Sequence, residues 1–545
     1  MRFGAIPLAD AEGALLAHGL KGDGFAFKKG RRLSAEDIAR IAATGRRDVV
    51  AARLEADDVP EDAAAAAIAQ AIAGENLVLS AAFTGRANLY ATTSGLAAFD
   101  PARVDALNLV DEAITLATLP PLAPVAARQM VATVKIIPFA VPRPALDRAL
   151  ALAQGDAKLL RVAAYRPMRA ALVQTTLPGF KPSVLANTVD ATRARLAALG
   201  GSLAGDEVVA HEGDAVAAAL RRHLESGVDL LLVLGASAVV DRRDVIPAAI
   251  ERAGGRVEHF GMPVDPGNLL LFGALGATPV IGLPGCARSP KLNGFDWVLQ
   301  RVAAGLPIDR RDIMRMGAGG LLSEIPSRPL PRQSAAPAPQ PPRQPRIAAI
   351  VLAAGRSSRM APANKLLVEI EGKPMVARAV DAALASQAIA VTVVVGNDAG
   401  RVRQALAGRN LTIVENPAFA EGLSASLRVG VAALPGDIDG VLVLLGDMPR
   451  VAAAHLDRLI AAFNPVEGRS ICVPTHRAKR GNPILWDARF LPEMQALAGD
   501  QGARGLLGAH ADVVCEVEMP DDGILLDVDT PAALAALAPA REQRA

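Results

Sequence analysis

The chain has 545 residues, 51% of them hydrophobic but only 3% aromatic, with a formal net charge of +2. That length exceeds what one core supports, so two to four domains are expected, with cores of Ala, Val, Leu and Ile. The balanced charge leaves no footprint for nucleic-acid binding, and three scattered cysteines, Cys286, Cys472 and Cys515, are too few for a disulfide framework or a zinc site.

The opening segment, MRFGAIPLADAEGALLAHGL, carries Asp10 and Glu12 and lacks the apolar core and cleavage site of a signal peptide. The longest apolar stretch, LLLVLGASAVV (230–240), falls short of the ~20 residues a membrane span needs. No membrane or nucleic-acid partner is expected, and a reducing cytoplasm is the expected location.

Residues 1–165 mix short strands and helices without one dominant period. Within them, GFAFKKGRRLSAEDIARIAATG reads as a hairpin turn at Lys28–Gly30. A helix then follows, with Ser34 at its start and Asp37 three residues on, the spacing of a capping box. From residue 166 the pattern becomes alternating: AALVQTTLPG, NTVDATRARLAALG, EVVA, DAVAAALRRHLESG, VDLLLVLGAS. Short apolar strands between amphipathic helices predict βα units and a parallel sheet covered on both faces. Two glycine-marked loops follow apolar strands here. One contains Gly235 and Ser237 with Asp244 downstream; the other contains Pro284 and Gly285. Such loops either bind an anion or make tight connections.

The stretch PSRPLPRQSAAPAPQPPRQP, residues 326–345, has eight prolines and almost no large apolar residue, which predicts a semi-rigid linker. Beyond it the strand–helix alternation resumes with RIAAIVLAAG (346–355), AVTVVVGN (390–397), LTIVEN (411–416) and DGVLVLLGD (439–447). The economical fold class is α/β: two halves, each with a mainly parallel sheet covered by helices, ligands sitting at the C-terminal strand ends.

In VLAAGRSSRMAPANKLL (351–367), Gly355 directly follows the first strand, and Arg356, Arg359 and Lys365 supply cations. Backbone amides beside a glycine can face a ligand without a Cβ in the way. The pattern matches neither the Walker nor the Rossmann glycine loop. It is either a phosphate cradle or a loop with solvated cations. Asp447, just past DGVLVLLG, either caps the next helix or binds a hard cation. Asp527 and Asp529 in GILLDVDTP repeat the design. Three carboxylates at strand ends opposite a cationic loop suggest a metal–triphosphate site.

The motifs LAAGRSSRM…NKLL, NPAFAEGLSASL, GDMPR, GNPILW, GDQGARGLL and LDVDTP, in this order across 346–537, resemble the molybdenum-cofactor cytidylyltransferases. These are nucleotidyltransferases of the MobA-like type with a Rossmann-like fold. The Leu-Ala-Ala-Gly loop is similar to that of the cytidine-using branch. One departure is Ala361, where the family usually has glycine. The resemblance implies that the terminal phosphate of Mo-molybdopterin attacks the α-phosphorus of CTP, releasing pyrophosphate. It implies Mg²⁺ on Asp447 with Asp527 or Asp529, and Arg359 and Lys365 as charge-neutralising catalytic groups. Leu352, Ala353, Ala354 and Gly355 would face the nucleotide; Ser424 and Asn482 would either bond base, ribose or pterin or be turn residues, and Arg504 would either reach a pterin phosphate or be a solvated helix residue.

Residues 166–305 resemble, less closely, the molybdopterin-binding domain of molybdotransferases and adenylyltransferases; residues 28–45 are similar to the region preceding it. Gly235, Ser237, Asp244, Pro284 and Gly285 match that motif, whereas Ala236, the LPGFKP segment (177–182) and Cys286 depart from it. The lost acidic positions leave fewer metal ligands, so this half is expected to hold molybdopterin and pass it on rather than catalyse. The expected division is 1–165, 166–325, the linker 326–345, and 346–545. Alternatives are a nucleotidyltransferase using another acceptor or GTP, and a non-catalytic molybdopterin carrier. Expected partners are CTP, molybdopterin and the recipient molybdoenzyme or its chaperone; a homo-oligomer is left open.

Overall fold

The computed structural model describes residues 1–155, 157–322, 343–355, 364–497, 499, 502–528 and 534. The expected linker therefore falls, except for residues 343–345, outside the described residues, as do Arg359 and Asp529. Helices and strands are both abundant, in the mixed α/β arrangement expected.

The first 53 residues form an antiparallel sheet of β1 (Arg2–Pro7), β2 (Leu15–Leu16) and β3 (Asp48–Arg53), in the order β1-β3-β2. Helix α1 (Ala35–Ala43) starts at a complete capping box, Ser34 with Asp37, as its spacing predicts. Arg31 clamps the same Asp37 carboxylate through two contacts of 2.9 Å. The hairpin nearby turns at Gly24, between Leu20–Gly22 and Phe25–Phe27, and Lys28–Gly30 belongs to a separate turn after it. Both sites carry a glycine at positive φ, which is why the sequence alone does not choose between them.

Next, α2 (Glu61–Ile72) packs on an antiparallel sheet of β4 (Leu77–Leu79), β5 (Arg86–Ala91), β6 (Ile114–Thr118) and β7 (Met130–Ile136), ordered β6-β7-β5-β4. Helix α3 (Arg143–Ala153) packs beside α2.

The third sheet has six strands: β8 (Arg169–Thr176), β9 (Ser202–Ala210), β10 (Leu230–Leu234), β11 (Arg256–Phe260), β12 (Leu271–Leu275) and β13 (Thr278–Gly282). Their order is β9-β8-β10-β13-β12-β11; only β12 runs against its neighbours. Helices α4 (Pro182–Ala198), α5 (Gly213–Glu225), α6 (Val245–Arg252) and α7 (Gly294–Ala303) cover it. Alternate residues of β8 enter opposite cores: Ala170 and Leu172 face α4 and α7, and Ala171 and Val173 face α5 and α6. That two-sided burial is why the strand reads as a continuous apolar run. Helix α4 starts five residues before the expected segment, because Pro182 suits the first turn, where its missing N–H costs nothing.

The C-terminal sheet is built the same way, from β14 (Ile347–Ala353), β15 (Ala390–Val395), β16 (Thr412–Glu415), β17 (Gly440–Leu445), β18 (Ile471–His476), β19 (Lys479–Arg480), β20 (Ile484–Asp487) and β21 (Val514–Glu518). The order is β16-β15-β14-β17-β20-β18-β19, with β21 beside β18, and β20 antiparallel to both neighbours. Ile347, Ala349, Val351 and Ala353 enter a core under α8 (Met375–Leu384) and α10 (Ala453–Ala462). Ile350, Leu352 and Ala354 enter the opposite core under α9 (Leu423–Ala432). The apolar run of GILLDVDTP, expected to end a strand at Asp527, instead forms a short turn at Asp522–Ile524 and irregular backbone over 525–528.

Contacts join the early residues to the C-terminal half. Lys28 Nζ donates to the Val514 carbonyl at 2.7 Å, Arg458 pairs with Asp62 at 3.2 Å, and Phe83 packs against the core beneath α8 and α10. A crevice of about 610 Å³ runs along this contact, between Arg86 and Tyr90 on one side and Phe463 and Arg469 on the other. Among the described residues no helix is long and apolar enough to cross a membrane.

Candidate active site

The C-terminal ends of β14, β15 and β17 lie side by side, so their loops form one rim. Leu352, Ala353 and Ala354 are buried at the end of β14, and Gly446 N donates to the Leu352 carbonyl at 3.0 Å, tying the loop after β17 to that strand end. Among the described residues a Cβ on Gly355 would meet nothing within 4 Å. Packing therefore does not require this glycine; it leaves bare backbone at the rim.

Asp447 stands one residue further on. Its Oδ2 accepts from Lys365 Nζ at 2.5 Å, with side chains only 13% (Lys365) and 16% (Asp447) exposed. Lys365 is placed by a 3-10 turn, Lys365–Leu367, where Asn364 Oδ1 accepts from Leu366 N and Leu366 anchors the turn in the core. The other oxygen, Asp447 Oδ1, is buried with no hydrogen-bond partner among the described residues. Leaving such an acceptor unsatisfied costs about 1–3 kcal/mol or more for a charged group, so an ion is the natural occupant. The backbone of the irregular 525–528 segment reaches the same place: Val528 N donates to the Asp447 carbonyl at 3.1 Å. That bond brings Asp527, which is exposed, to the rim. Among the described residues no three acids, histidines or cysteines cluster as a ready metal cage.

His455 holds the approach to this segment. Its Nδ1 accepts from Ala452 N, so the ring proton lies on Nε2 and points to Asp521 at 3.2 Å. The Gly523 amide, and then the histidine, hold the Asp521 carboxyl below its usual range. Ser424, the second residue of α9, is buried, and its hydroxyl has no partner among the described residues. The loop before it is fixed by Asn416, whose Nδ2 donates to Ser426 Oγ and whose Oδ1 accepts from Ala418 N, both at 3.0 Å. Asn416 is a positioning residue that the motif contained and the sequence reading passed over. Asn482 sits against Ile524, donating its N–H to that carbonyl at 3.0 Å. The preceding Gly481 admits no side chain, because a Cβ would fall 2.1 Å from the Ile524 carbonyl. Arg504 opens the helix Arg504–Ala509, and its side chain lies outside the described residues.

The remaining expected residues gather at the strand ends of the N-terminal parallel sheet. Gly235 and Ser237 follow β10, and Pro284 and Gly285 follow β13. Asp244 turns inward to backbone: Oδ1 accepts from Val245 N, capping α6, and Oδ2 accepts from Val240 N. Two residues absent from the sequence reading join them. Thr175 at the end of β8 is hydrogen-bonded to His211 Nδ1 at 2.8 Å, and His211 Nε2 to Ser237 Oγ at 3.0 Å.

Asp447, just past the end of β17, and Lys365, in the turn that follows the first loop, thus meet at the C-terminal rim of neighbouring parallel strands, where ligands of such sheets sit. Comparison with known proteins agrees: residues 349–513 match the family model for the MobA-like NTP transferase domain. Residues 5–53 match a domain of unknown function, DUF8806. The purine catabolism protein PucB of Bacillus subtilis is 30% identical over 203 residues, 35% of this chain and 94% of that protein. The nicotine blue oxidoreductase of Paenarthrobacter nicotinovorans is 27% identical over 191 residues, 34% of this chain and 93% of that protein. A solved nucleotidyl transferase from Methanothermobacter is 28% identical, covering 35% of this chain and 95% of its own, with a TM-score of 0.32. Through its C-terminal half the chain belongs to the MobA-like NTP transferase family, and that half is a nucleotidyltransferase domain.

Proposed function

We propose that the C-terminal half transfers CMP from CTP to the terminal phosphate of Mo-molybdopterin, releasing pyrophosphate and forming molybdopterin cytosine dinucleotide. The observation that carries this reading is Asp447: one oxygen on Lys365, the other buried and unpartnered, at the strand-end rim. Asp447, with Asp527 or Asp529, would hold a divalent cation such as Mg²⁺, which would supply positive charge at the α-phosphate. In the free protein Lys365 and Asp447 neutralise one another. A cation with a triphosphate offers each of them a partner of opposite sign, so loading the site exchanges charges rather than uncovering them. Lys365, with Arg359 of the first loop, then neutralises the leaving pyrophosphate. A phosphate nucleophile is already ionised at neutral pH, so no general base is needed. Ser424 offers a buried hydroxyl to the nucleotide.

The N-terminal half, in this reading, holds the pterin at the loops containing Ser237 and Gly285. A covalent tether gives it millimolar effective concentration beside the transferase half, of order 1 mM for short flexible linkers. The test is pyrophosphate release by the full chain with Mg²⁺ and molybdopterin. Release with CTP but not GTP supports the cytidylyl reading. Equal release with GTP, or release unaffected by Asp447→Ala, overturns it.

A further inference from the structure

The crevice of about 610 Å³ between the early residues and the C-terminal half belongs to neither strand-end rim. Its far wall comes from the end of α10 and the turn over 464–469, with Asp439 and Pro345 beside it. Those residues precede β18, β17 and β14, so the crevice opens at the strand starts, the end of that sheet away from Asp447. Its volume falls within the range of small-molecule pockets, roughly 300–1,000 Å³, and junctions between folded units are a preferred place for them.

The floor is one face of the antiparallel sheet. Along β5, Arg86, Asn88 and Tyr90 line the crevice, while the alternate residues Ala87, Leu89 and Ala91 enter the core under α2. The register of β5 with β7 sets Lys135 directly opposite Arg86, and both reach the crevice. Like charges at directly opposed positions are destabilising, so this pair is a standing cost until an anion lies between them. Arg86 has no ion pair and no side-chain hydrogen bond among the described residues. Lys135 donates to the Thr84 carbonyl, and its acid partner, Glu61, is 3.9 Å away. Burial pushes the Glu61 carboxyl up to about 7, so at neutral pH it carries only part of a charge. Asp62, the neighbouring acid, is taken by Arg458. Across the crevice, Arg343 with Asp439 and Arg469 with Glu467 form closed pairs, which leaves Arg86 and Lys135 as the charge in excess. Hydrogen-bonding groups stand ready along the same floor. Thr133 Oγ1 donates to Asn88 Oδ1 at 2.7 Å, and Asn88 Nδ2 to the Tyr90 hydroxyl oxygen at 3.2 Å. The hydrogen of that hydroxyl meets no acceptor among the described residues.

We propose that this crevice is a second ligand site, taking a phosphate monoester whose head lies between Arg86 and Lys135 and whose oxygen-bearing body accepts from the Tyr90 hydroxyl. A monoester carries about −1.5 to −2 charge at neutral pH, which matches two convergent cations. The occupant touches both halves of the chain and stands apart from the nucleotidyl-transfer rim, so the proposal does not depend on that reading. The full chain is titrated calorimetrically, at fixed low salt, with AMP, ribose 5-phosphate, ribose and inorganic phosphate. At least one monoester should bind at least tenfold more tightly than ribose or inorganic phosphate and raise the melting temperature; the tighter of the two tells a nucleotide from a sugar phosphate. Arg86→Gln should weaken that binding at least tenfold, with the melting temperature of the free protein level or higher, because a repulsion is removed. Tyr90→Phe should weaken it several-fold. Arg86→Gln should leave CTP-dependent pyrophosphate release unchanged, and Asp447→Ala should leave monoester binding unchanged, so each reading fails by itself. Absence of monoester binding, equal binding of inorganic phosphate, or binding that survives Arg86→Gln overturns the proposal.

Discussion

The two parallel sheets end in rims of opposite electrical character. At the C-terminal rim a lysine and an aspartate lie 2.5 Å apart and cancel, with a carboxylate oxygen to spare. At the N-terminal rim the half-buried Arg288 guanidinium donates to the Gly235 carbonyl and faces no acid among the described residues. At the first rim the Lys365–Asp447 pair is internally compensated, and exposed Asp527 adds a further carboxylate beside it. The two rims share one architecture, and the difference between them lies in loop residues rather than in the strands beneath them.

The sharpest way to break this contrast is at the acid. Asp447→Ala should lower CTP-dependent pyrophosphate release at least ~100-fold, about 3 kcal/mol, the scale of one preorganised charge. Lys365→Met should cost a similar or slightly smaller factor in kcat and leave the Asp447 carboxylate wholly unpaired, so its melting temperature should fall as well. Steady-state pyrophosphate assays and thermal melts check both.

A third pair calibrates the comparison. Glu61 and Lys135 stand 3.9 Å apart, too far to be a tight bridge, and burial pushes the Glu61 carboxyl up to about 7. Because the folded value lies above the ordinary 4.5, the folded chain holds this proton more tightly than the unfolded chain. The stabilisation is complete below the ordinary value and is lost as pH rises through the folded one. Glu61→Gln should remove that slope and raise stability above neutral pH by about 1–3 kcal/mol, read by denaturant titration across the range.

A smaller effect is expected at Ser424. Its buried hydroxyl has no partner, so Ser424→Ala should leave stability level or improve it, while weakening CTP binding about fivefold, about 1 kcal/mol. Weakest of all is Arg458→Ala, which removes a partly exposed pair with Asp62 and should cost no more than about 1 kcal/mol. Calorimetry suffices for both.

How much of this was legible beforehand follows from where the information sits. Strands β8 and β14 could be read because both faces are buried, which writes an unbroken apolar run. The capping box at Ser34 and Asp37 could be read because its signal is local. Asp447 and Lys365 could be named because each follows an apolar strand or lies in a recognisable loop. The apolar run at 523–528 misled, since apolar residues pack equally well in irregular backbone, and Val528 makes its rim contact through one amide. Thr175, His211 and Arg288 could not be read at all. They lie 36 and 77 residues apart in sequence, and only the order of the strands brings them to one end of the sheet.

Phe83 belongs by sequence to the N-terminal half, yet its ring is packed against the core under α8 and α10, with Arg469 lying 5.8 Å from the ring centroid. A transferase piece begun at residue 346 would therefore carry an empty socket where that ring belongs, open to water and ready to grip another copy of itself. Sluggishness or clumping in such a fragment would report the missing plug, and only the intact polypeptide can show whether cargo passes from one rim to the other.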